Sequence, residues 1–440
     1  MILSTAIASG AMPHGGPVIA MRHARALARQ GARVHVVAPE VGPVPEAAGV
    51  TVERYPITDT RVPFSAWRHD ARAVDALAAA IERHAPEVVY DVHGPAWAAE
   101  AASAHGVPTV SMVGDFNAYC RRTFLVDTVG RRCTGPESAG KCFACLNRES
   151  APRQRAIRSA LRNRLAAPIL ERIFPPARLA PHRLWDALGD SRDYAARWRE
   201  RIDRFVVGDE NARAFLAGHG IDAARLATIP QGLPATARTL KRRNLPGSGV
   251  PLAIGFVGRP HVDKGLHLLA RAFDSLPAGK AELRIIHARY ATEELVAPMF
   301  PDRGRLHGQV ARGSVRFVQP ADDEALHRAM AEVDVACIPS LQFESPSLAL
   351  LEFVAQRTPV IRSESAGMDH VIQDGVNGRT FPYGDWRALR AALVEVIEEP
   401  ALLARWSARL PEVGSDDAYA ASLLALFATL RPAVSRRIHD

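Results

Sequence analysis

Short apolar, β-rich runs alternate with longer amphipathic stretches along much of the chain. ILSTAIA, RVHVVAP, EVVYDV and PTVSMVG read as buried parallel strands of a first domain. RFVVG, ATIP, LAIGFVG, LRIIH, SVRFV, DVACIP and TPVI read as strands of a second. Between them lie segments such as IAMRHARALARQG, with apolar residues at helical spacing and a closing Gly31. Strand–helix alternation implies parallel sheets wound on both faces, and two such series imply two Rossmann-like domains.

In open parallel sheets, ligands sit beyond the carboxyl ends of the strands. The polar residues that stand out fall at those places. His14-Gly15-Gly16 follows the first strand, His93 follows EVVYDV, and Asp115 follows PTVSMVG. Arg259 follows LAIGFVG, and Glu344 comes shortly after DVACIP. Two domains facing each other would bring all five groups to one interdomain cleft.

The segment PSLQFESPSLALLEFVAQRTPVI holds Glu344 and Glu352 with seven residues between them. Ser345 can cap a helix whose first position is Pro346, placing Glu344 in the loop and Glu352 in the second turn. Carboxylates accept hydrogen bonds from vicinal hydroxyls, which a ribose or hexose offers. Read alone, the same segment is equally a capped surface helix. Upstream, GFVGRPHVDKGLHLLARAF reads as a strand, a glycine turn and a helix with Arg259 and Lys264 near its start. Such a helix N-terminus, flanked by two cations, suits a diphosphate. Surface charges around a βα turn are the plainer alternative.

Together these segments resemble glycosyltransferase family 4 of the GT-B fold. That family's C-terminal domain carries a G-R…K-G loop, a V-I-P-N-G turn, an A-D-V-x-x-x-P-S strand and an E-x7-E motif. Here stand Gly258-Arg259, Lys264-Gly265, IPQG ending at Gly232, and EVDVACIPS before Glu344 and Glu352. TPVIRSESAGMDHVIQDGVNGRTF follows, and order and spacing agree over roughly residues 204–385. The resemblance implies that Arg259 and Lys264 bind the donor diphosphate, Glu352 the ribose hydroxyls and Glu344 the donor sugar. Backbone N–H groups of Ser347 and Leu348 would meet phosphate or sugar. The N-terminal half is similar more loosely: Gly15 and Gly16 match the family's glycine loop, and His93 its histidine beside the reacting carbon. Asp115 stands in a Gly114-Asp115 pair where relatives often have His-Asp. His287-Ala288-Arg289-Tyr290 replaces a G-x-G-P turn, and His370 replaces the glutamate of a G-x-x-E turn.

Composition narrows the alternatives. The chain has 440 residues, 48% of them hydrophobic and 23% charged, which suits a two-domain globular protein. No apolar run approaches the roughly 18 residues of a membrane span. MILSTAIASG lacks a basic n-region, so it reads as a strand rather than a signal peptide, and a cytoplasmic location is expected. The net charge is +8. Fourteen arginines and no lysine fall between Arg148 and Arg204, against seven acidic residues, so the excess is local. Nucleic-acid module signatures are missing, and nucleic acid is not an expected partner.

Within that basic segment Ile157, Leu161, Leu165, Ile169 and Ile173 recur every four residues among Arg158, Arg162, Arg164 and Arg172. The stripe either packs on its own domain or lies on an anionic membrane surface as a peripheral contact. Just before it, Cys120, Cys133, Cys142 and Cys145 form a loop like one found in a subgroup of the family. Four thiolates can hold a structural zinc, or less readily an iron–sulfur cluster; unligated thiols are the alternative. Cys337 reads as core packing.

The expected architecture is α/β, GT-B, with two Rossmann-like doubly wound domains. Residues 1–200 form the acceptor-side domain, residues 201–385 the nucleotide-sugar domain, and residues 386–440 C-terminal helices crossing back to the first. The resemblance implies a retaining, metal-independent transferase that moves a sugar from a UDP- or GDP-sugar to a hydroxyl acceptor. A catalytically silent subunit and an epimerase on the same fold are the rivals; the retained Arg259, Lys264 and Glu344 favour the transferase.

Overall fold

In a computed structural model of the chain, residues 2–5, 15–39, 49–56, 70–92, 96–116, 118–120, 122, 125–128, 130–148, 150–179, 182, 184–237, 250–287, 290–343, 347–364 and 367–430 are described. They form two compact units. The first holds seven parallel strands: β1 (Ile2–Thr5), β2 (Val34–Pro39), β3 (Val50–Tyr55), β4 (Val89–Val92), β5 (Thr109–Val113), β6 (Arg204–Val207) and β7 (Leu226–Thr228). Their order is β3-β2-β1-β4-β5-β6-β7, so the winding reverses between β1 and β4. Leu3 of β1 pairs with Val36 on one side and Tyr90 on the other.

Helices connect these strands: α1 (Gly15–Arg29), α2 (Ala71–His84), α3 (Trp97–Ala104), then a helical stretch before β6, and finally α9. The helical stretch comprises α4 (Ala139–Arg148), α5 (Pro152–Arg162), α6 (Ala166–Ile173), α7 (Pro176–Leu179) and α8 (Leu184–Arg201); α9 is Glu210–Gly218. Aspartates start several helices. Asp70 accepts from the Ala73 amide, and Asp209 from Asn211 and Ala212, filling amides that the first turn leaves unbonded. Val37, Leu77, Ile81 and Trp97 belong to one buried cluster that joins β2 to α2 and α3.

The second unit has six parallel strands: β8 (Leu252–Val257), β9 (Ala281–Ile286), β10 (Val315–Val318), β11 (Val335–Ile338), β12 (Val360–Ser363) and β13 (Gly378–Phe381). Their order is β10-β9-β8-β11-β12-β13, with the reversal between β8 and β11. Its helices are α10 (Leu266–Asp274), α11 (Glu293–Val296), α12 (Arg303–Ala311), α13 (Asp323–Ala331), α14 (Leu348–Ala355), α15 (Trp386–Glu398) and α16 (Ala401–Ala408). Ile286, Met330, Ile338, Phe353 and Ile372 pack in its core.

The last described helix, α17 (Asp416–Ala428), belongs to the first unit. Arg22 of α1 grips Asp416 through two bonds, Nη2 to Oδ1 at 2.8 Å and Nε to Oδ2 at 3.1 Å, both residues buried. Beside this pair the Tyr90 hydroxyl lies 3.2 Å from the Tyr419 hydroxyl and 3.2 Å from His23 Nδ1.

Four sequence expectations change. RFVVG and ATIP, assigned to the second domain, are β6 and β7 of the first sheet, so the division falls near residue 230 rather than 200. The cause is pairing: Phe205 registers with Ser111, and Asp203 accepts the Thr109 amide at 2.7 Å. A buried strand shows its period but not its neighbour. Strands β3 and β13 were not anticipated, because VTVERY and GRTF are too polar to read as buried runs. The cap of α14 is Ser347, whose Oγ accepts from the Leu350 amide at 3.3 Å, and not Ser345, which lies outside the described residues. Finally, the apolar stripe of the basic segment splits. Ile157 and Leu161 are half-buried, whereas Leu165, Ile169 and Ile173 are exposed.

Candidate functional site

Reversal points of doubly wound sheets open a crevice at the strand carboxyl ends. In the second unit that point lies between β8 and β11, and the sequence motifs sit there. After β8 the chain turns through Gly258, whose amide donates to Ile286 O at 3.3 Å, and leads into exposed Arg259. A short turn, Val262–Lys264, carries half-buried Lys264 and ends at Gly265. Gly265 has φ +73°, and a Cβ there would lie 1.8 Å from Pro339 O. Only glycine lets the loop press this closely on the residues that follow β11.

Hydrogen bonds hold the two loops together. The Leu341 amide donates to Asp263 O at 2.7 Å, and Gln342 Nε2 donates to the Asp263 carboxylate at 2.7 Å. From the other side the Tyr383 hydroxyl donates to Leu341 O at 2.7 Å, and the Ser363 hydroxyl donates to Ser340 O. The loop leading to α14 is therefore fixed at its start, and Lys264 is fixed with it.

At the start of α14, Ser347 and Leu348 are half-buried. With the Leu350 amide taken by the Ser347 cap, the amides of Leu348 and Ala349 are those the first turn leaves for an outside acceptor. Ala349 was not foreseen, because the cap was placed two residues early. Glu352 is 8% exposed in the second turn, between buried Leu351 and Phe353. His327 Nε2 of α13 lies 3.6 Å from Glu352 Oε1. A buried carboxylate is costly unless hydrogen-bond donors meet it.

His287, at the end of β9, joins this edge. Burial, and then the charge of Arg259, push its imidazole down to about 4, so it is neutral at pH 7. Its Nδ1 accepts from the Tyr290 amide at 3.3 Å. The sequence signal was the loss of a glycine-proline turn. In the turn after β12, His370 is exposed. Asp369 beside it ties the turn down, pairing with buried Arg362 at 2.7 Å, while Arg362 also donates to Ile372 O at 2.9 Å.

In the first unit, α1 starts at Gly15 and Gly16 after β1, and half-buried Asp115 follows β5. Asp91 and Asp115 add to burial in raising the Tyr194 hydroxyl well above the usual phenol range. His93 and Glu344 lie outside the described residues. All four loop cysteines are half-buried and outside any disulfide. Among the described residues no three His, Cys, Asp or Glu side chains gather as metal ligands. Burial pushes the Cys120 thiol up to about 11, and Cys133 Sγ donates to Gly135 O at 3.6 Å.

Residues 13–115 match the model of Glycosyltransferase Family 4, and residues 251–399 that of Glycosyl transferases group 1. The chain thus carries a stretch of each of these two glycosyltransferase family models. The chain is 29% identical over 222 residues to phosphatidyl-myo-inositol mannosyltransferase of Mycolicibacterium smegmatis, covering 50% of each chain. It is 29% identical over 196 residues to D-inositol 3-phosphate glycosyltransferase of Corynebacterium urealyticum, covering 41% of this chain and 45% of that one. The chain thus spans about half the length of the curated relatives it matches. Its fold is GT-B. Anabaena HepE in complex with UDP and glucose superposes with a TM-score of 0.64 at 14% identity, covering 98% of this chain and 99% of that one. Sucrose-phosphate synthase from Thermosynechococcus elongatus gives 0.61 at 16%, covering 97% and 98%.

Proposed function

We propose that the chain transfers a sugar from a UDP- or GDP-sugar to a hydroxyl acceptor with retention of anomeric configuration. The observation that carries this reading is the carboxyl edge of β8 and β11. There Arg259, Lys264, the first-turn amides of α14 and the buried Glu352 carboxylate follow the two strands where the sheet reverses. A nucleotide diphosphate offers the complementary groups: negative oxygens for the cations and amides, and ribose hydroxyls for a buried carboxylate. That HepE was solved with UDP and glucose supports the donor class.

In the proposed reaction the acceptor oxygen approaches C1 from the side of the leaving diphosphate. The bond from C1 to the acceptor oxygen forms as the bond from C1 to the phosphate oxygen breaks. The departing phosphate oxygen takes the acceptor's proton. Arg259 and Lys264 stabilise the negative charge that grows on that oxygen, an electrostatic contribution that in enzymes is often the largest. These side chains supply the neutralisation without calling on a metal. Neutral His287, beside Arg259, can exchange a hydrogen bond with sugar or phosphate without adding charge. By the family resemblance, Glu344 orients the donor sugar, His93 and Asp115 serve the reacting carbon and the acceptor, and Gly15 and Gly16 let backbone approach phosphate. Among the described residues no helix is long and apolar enough to cross a membrane. A cytoplasmic site of action is part of the proposal.

The test is turnover of purified protein with UDP- and GDP-sugars, following release of nucleoside diphosphate and the anomeric configuration of the product by NMR. Release from one donor with retained configuration, reduced at least about a hundredfold in Lys264→Ala, is the expected result. Inverted product, or equal turnover in Lys264→Ala, overturns the proposal.

A further inference from the structure

Residues 116–250 lie outside both matched family stretches, and within them the α5–α6 hairpin presents an unusual face. Leu165 is 82% exposed, Ile173 63%, Ile169 60% and Phe174 39%. They are fixed there by the hairpin's own construction. Asn163 Oδ1 accepts from the amides of Leu165 and Ala166 at 2.8 and 3.3 Å, which turns the chain between the helices. Ala166, Ala167 and Leu170 are half-buried on the inner side of α6. Arg162 stacks over Trp185 of α8 at 4.5 Å and over Phe143 of α4 at 5.2 Å, and Arg158 donates to Ser150 Oγ. Two of the arginines therefore hold the hairpin to the unit, and the apolar tip faces outward.

Around that tip the charge is of one sign. Residues 151–179 contain seven arginines, no lysine and one acid, Glu171. Arg153, Arg155, Arg164, Arg172 and Arg178 are exposed. Four apolar side chains at these exposures offer on the order of 500 Å² of surface, short of the roughly 800 Å² each partner gives to a standard protein interface. Branched aliphatic groups ringed by guanidinium groups fit a different occupant. The aliphatic groups enter the boundary between lipid headgroups and chains, and arginines extend to the phosphates.

We propose that the α5–α6 hairpin docks this unit on an anionic lipid surface, with Leu165, Ile169, Ile173 and Phe174 inserted and the exposed arginines on the headgroup phosphates. This goes beyond the transfer reaction, and the hairpin holds none of the residues assigned to the donor. The test is co-sedimentation of the full chain with vesicles of phosphatidylcholine alone, or with about one-third phosphatidylglycerol. Binding to the anionic vesicles alone is expected, lost at about 0.5 M salt. It should weaken at least about tenfold in Ile169→Ser/Ile173→Ser and in Arg164→Gln/Arg172→Gln. Both double variants alter exposed side chains, so their melting temperatures and nucleotide responses should match the parent, separating this claim from the proposed transfer. Three results overturn it: no vesicle binding, binding to neutral vesicles just as strongly, or serine variants that bind like the parent. A self-association abolished by the serine variants would also overturn it, by making a second copy the occupant.

Discussion

Replacing Gly265 by alanine tests whether the Lys264 loop is clamped onto the end of β11. The added Cβ would lie 1.8 Å from Pro339 O, and an ordinary contact needs about 3.2 Å, so the loops must part by more than about 1 Å. The left-handed conformation alone costs an L-residue about 1–2 kcal/mol. Parting the loops also breaks the Leu341 amide bond to Asp263 O, worth about 1 kcal/mol. The bond from Gln342 to the Asp263 carboxylate, worth about 2 kcal/mol, goes with it. The total is about 4–5 kcal/mol. Gly279 is the control, since its φ is +74° and nothing lies within 4 Å of a Cβ there. Gly279→Ala should cost only the conformational 1–2 kcal/mol. At roughly 2–4 °C per kcal/mol for a unit of this size, Gly265→Ala should melt about 8–20 °C below the parent, and Gly279→Ala about 2–8 °C below. Differential scanning calorimetry of both variants reads this directly. If the two melt within a degree or two of each other, the clamp does not exist as described and Lys264 is not positioned by it.

Two further predictions concern stability. Asp416→Asn takes the carboxylate from buried Arg22 and should cost about 3–5 kcal/mol in denaturant unfolding. Asp417→Asn, which weakens an exposed pair with Arg29, should change stability by less than about 0.5 kcal/mol. His287 gives a pH signature. Its imidazole in the folded chain titrates near 4, below the ordinary 6.5, so as pH falls the unfolded chain takes the proton first. The His287 contribution is therefore level above about pH 6.5 and is lost progressively as pH falls towards 4. His287→Gln should flatten that stretch of the melting-temperature profile relative to the parent, and parallel profiles would contradict the assignment.

Much of the second unit was legible in the sequence because its motifs are local. Gly258-Arg259, Lys264-Gly265 and the helix bearing Glu352 occupy the strand ends where the pattern of runs and turns placed them. What escaped depended on partners distant in sequence. Nothing within RFVV says that it pairs with β5, and the first domain was drawn short for that reason. The cap of α14 shifted because Ser345 and Ser347 are chemically equivalent caps, and only the Leu350 amide chooses between them. The His327 contact with Glu352 joins two helices 25 residues apart in sequence, and no periodicity reports it. The arginine-rich segment was legible as charge. That its apolar stripe breaks at Asn163, leaving Ile169 and Ile173 outside, depends on a turn held in part by side-chain-to-backbone hydrogen bonds.

The central claim is that a nucleotide diphosphate binds where the second sheet reverses, its ribose on Glu352 and its phosphates beside Lys264. Isothermal titration of UDP and GDP into the parent, Lys264→Ala and Glu352→Ala tests it most directly. One nucleotide should bind the parent and lose roughly 30-fold or more in affinity in each variant, the loss of a charged hydrogen bond in a shielded site. A nucleotide that binds all three proteins alike would place its site elsewhere and contradict the account.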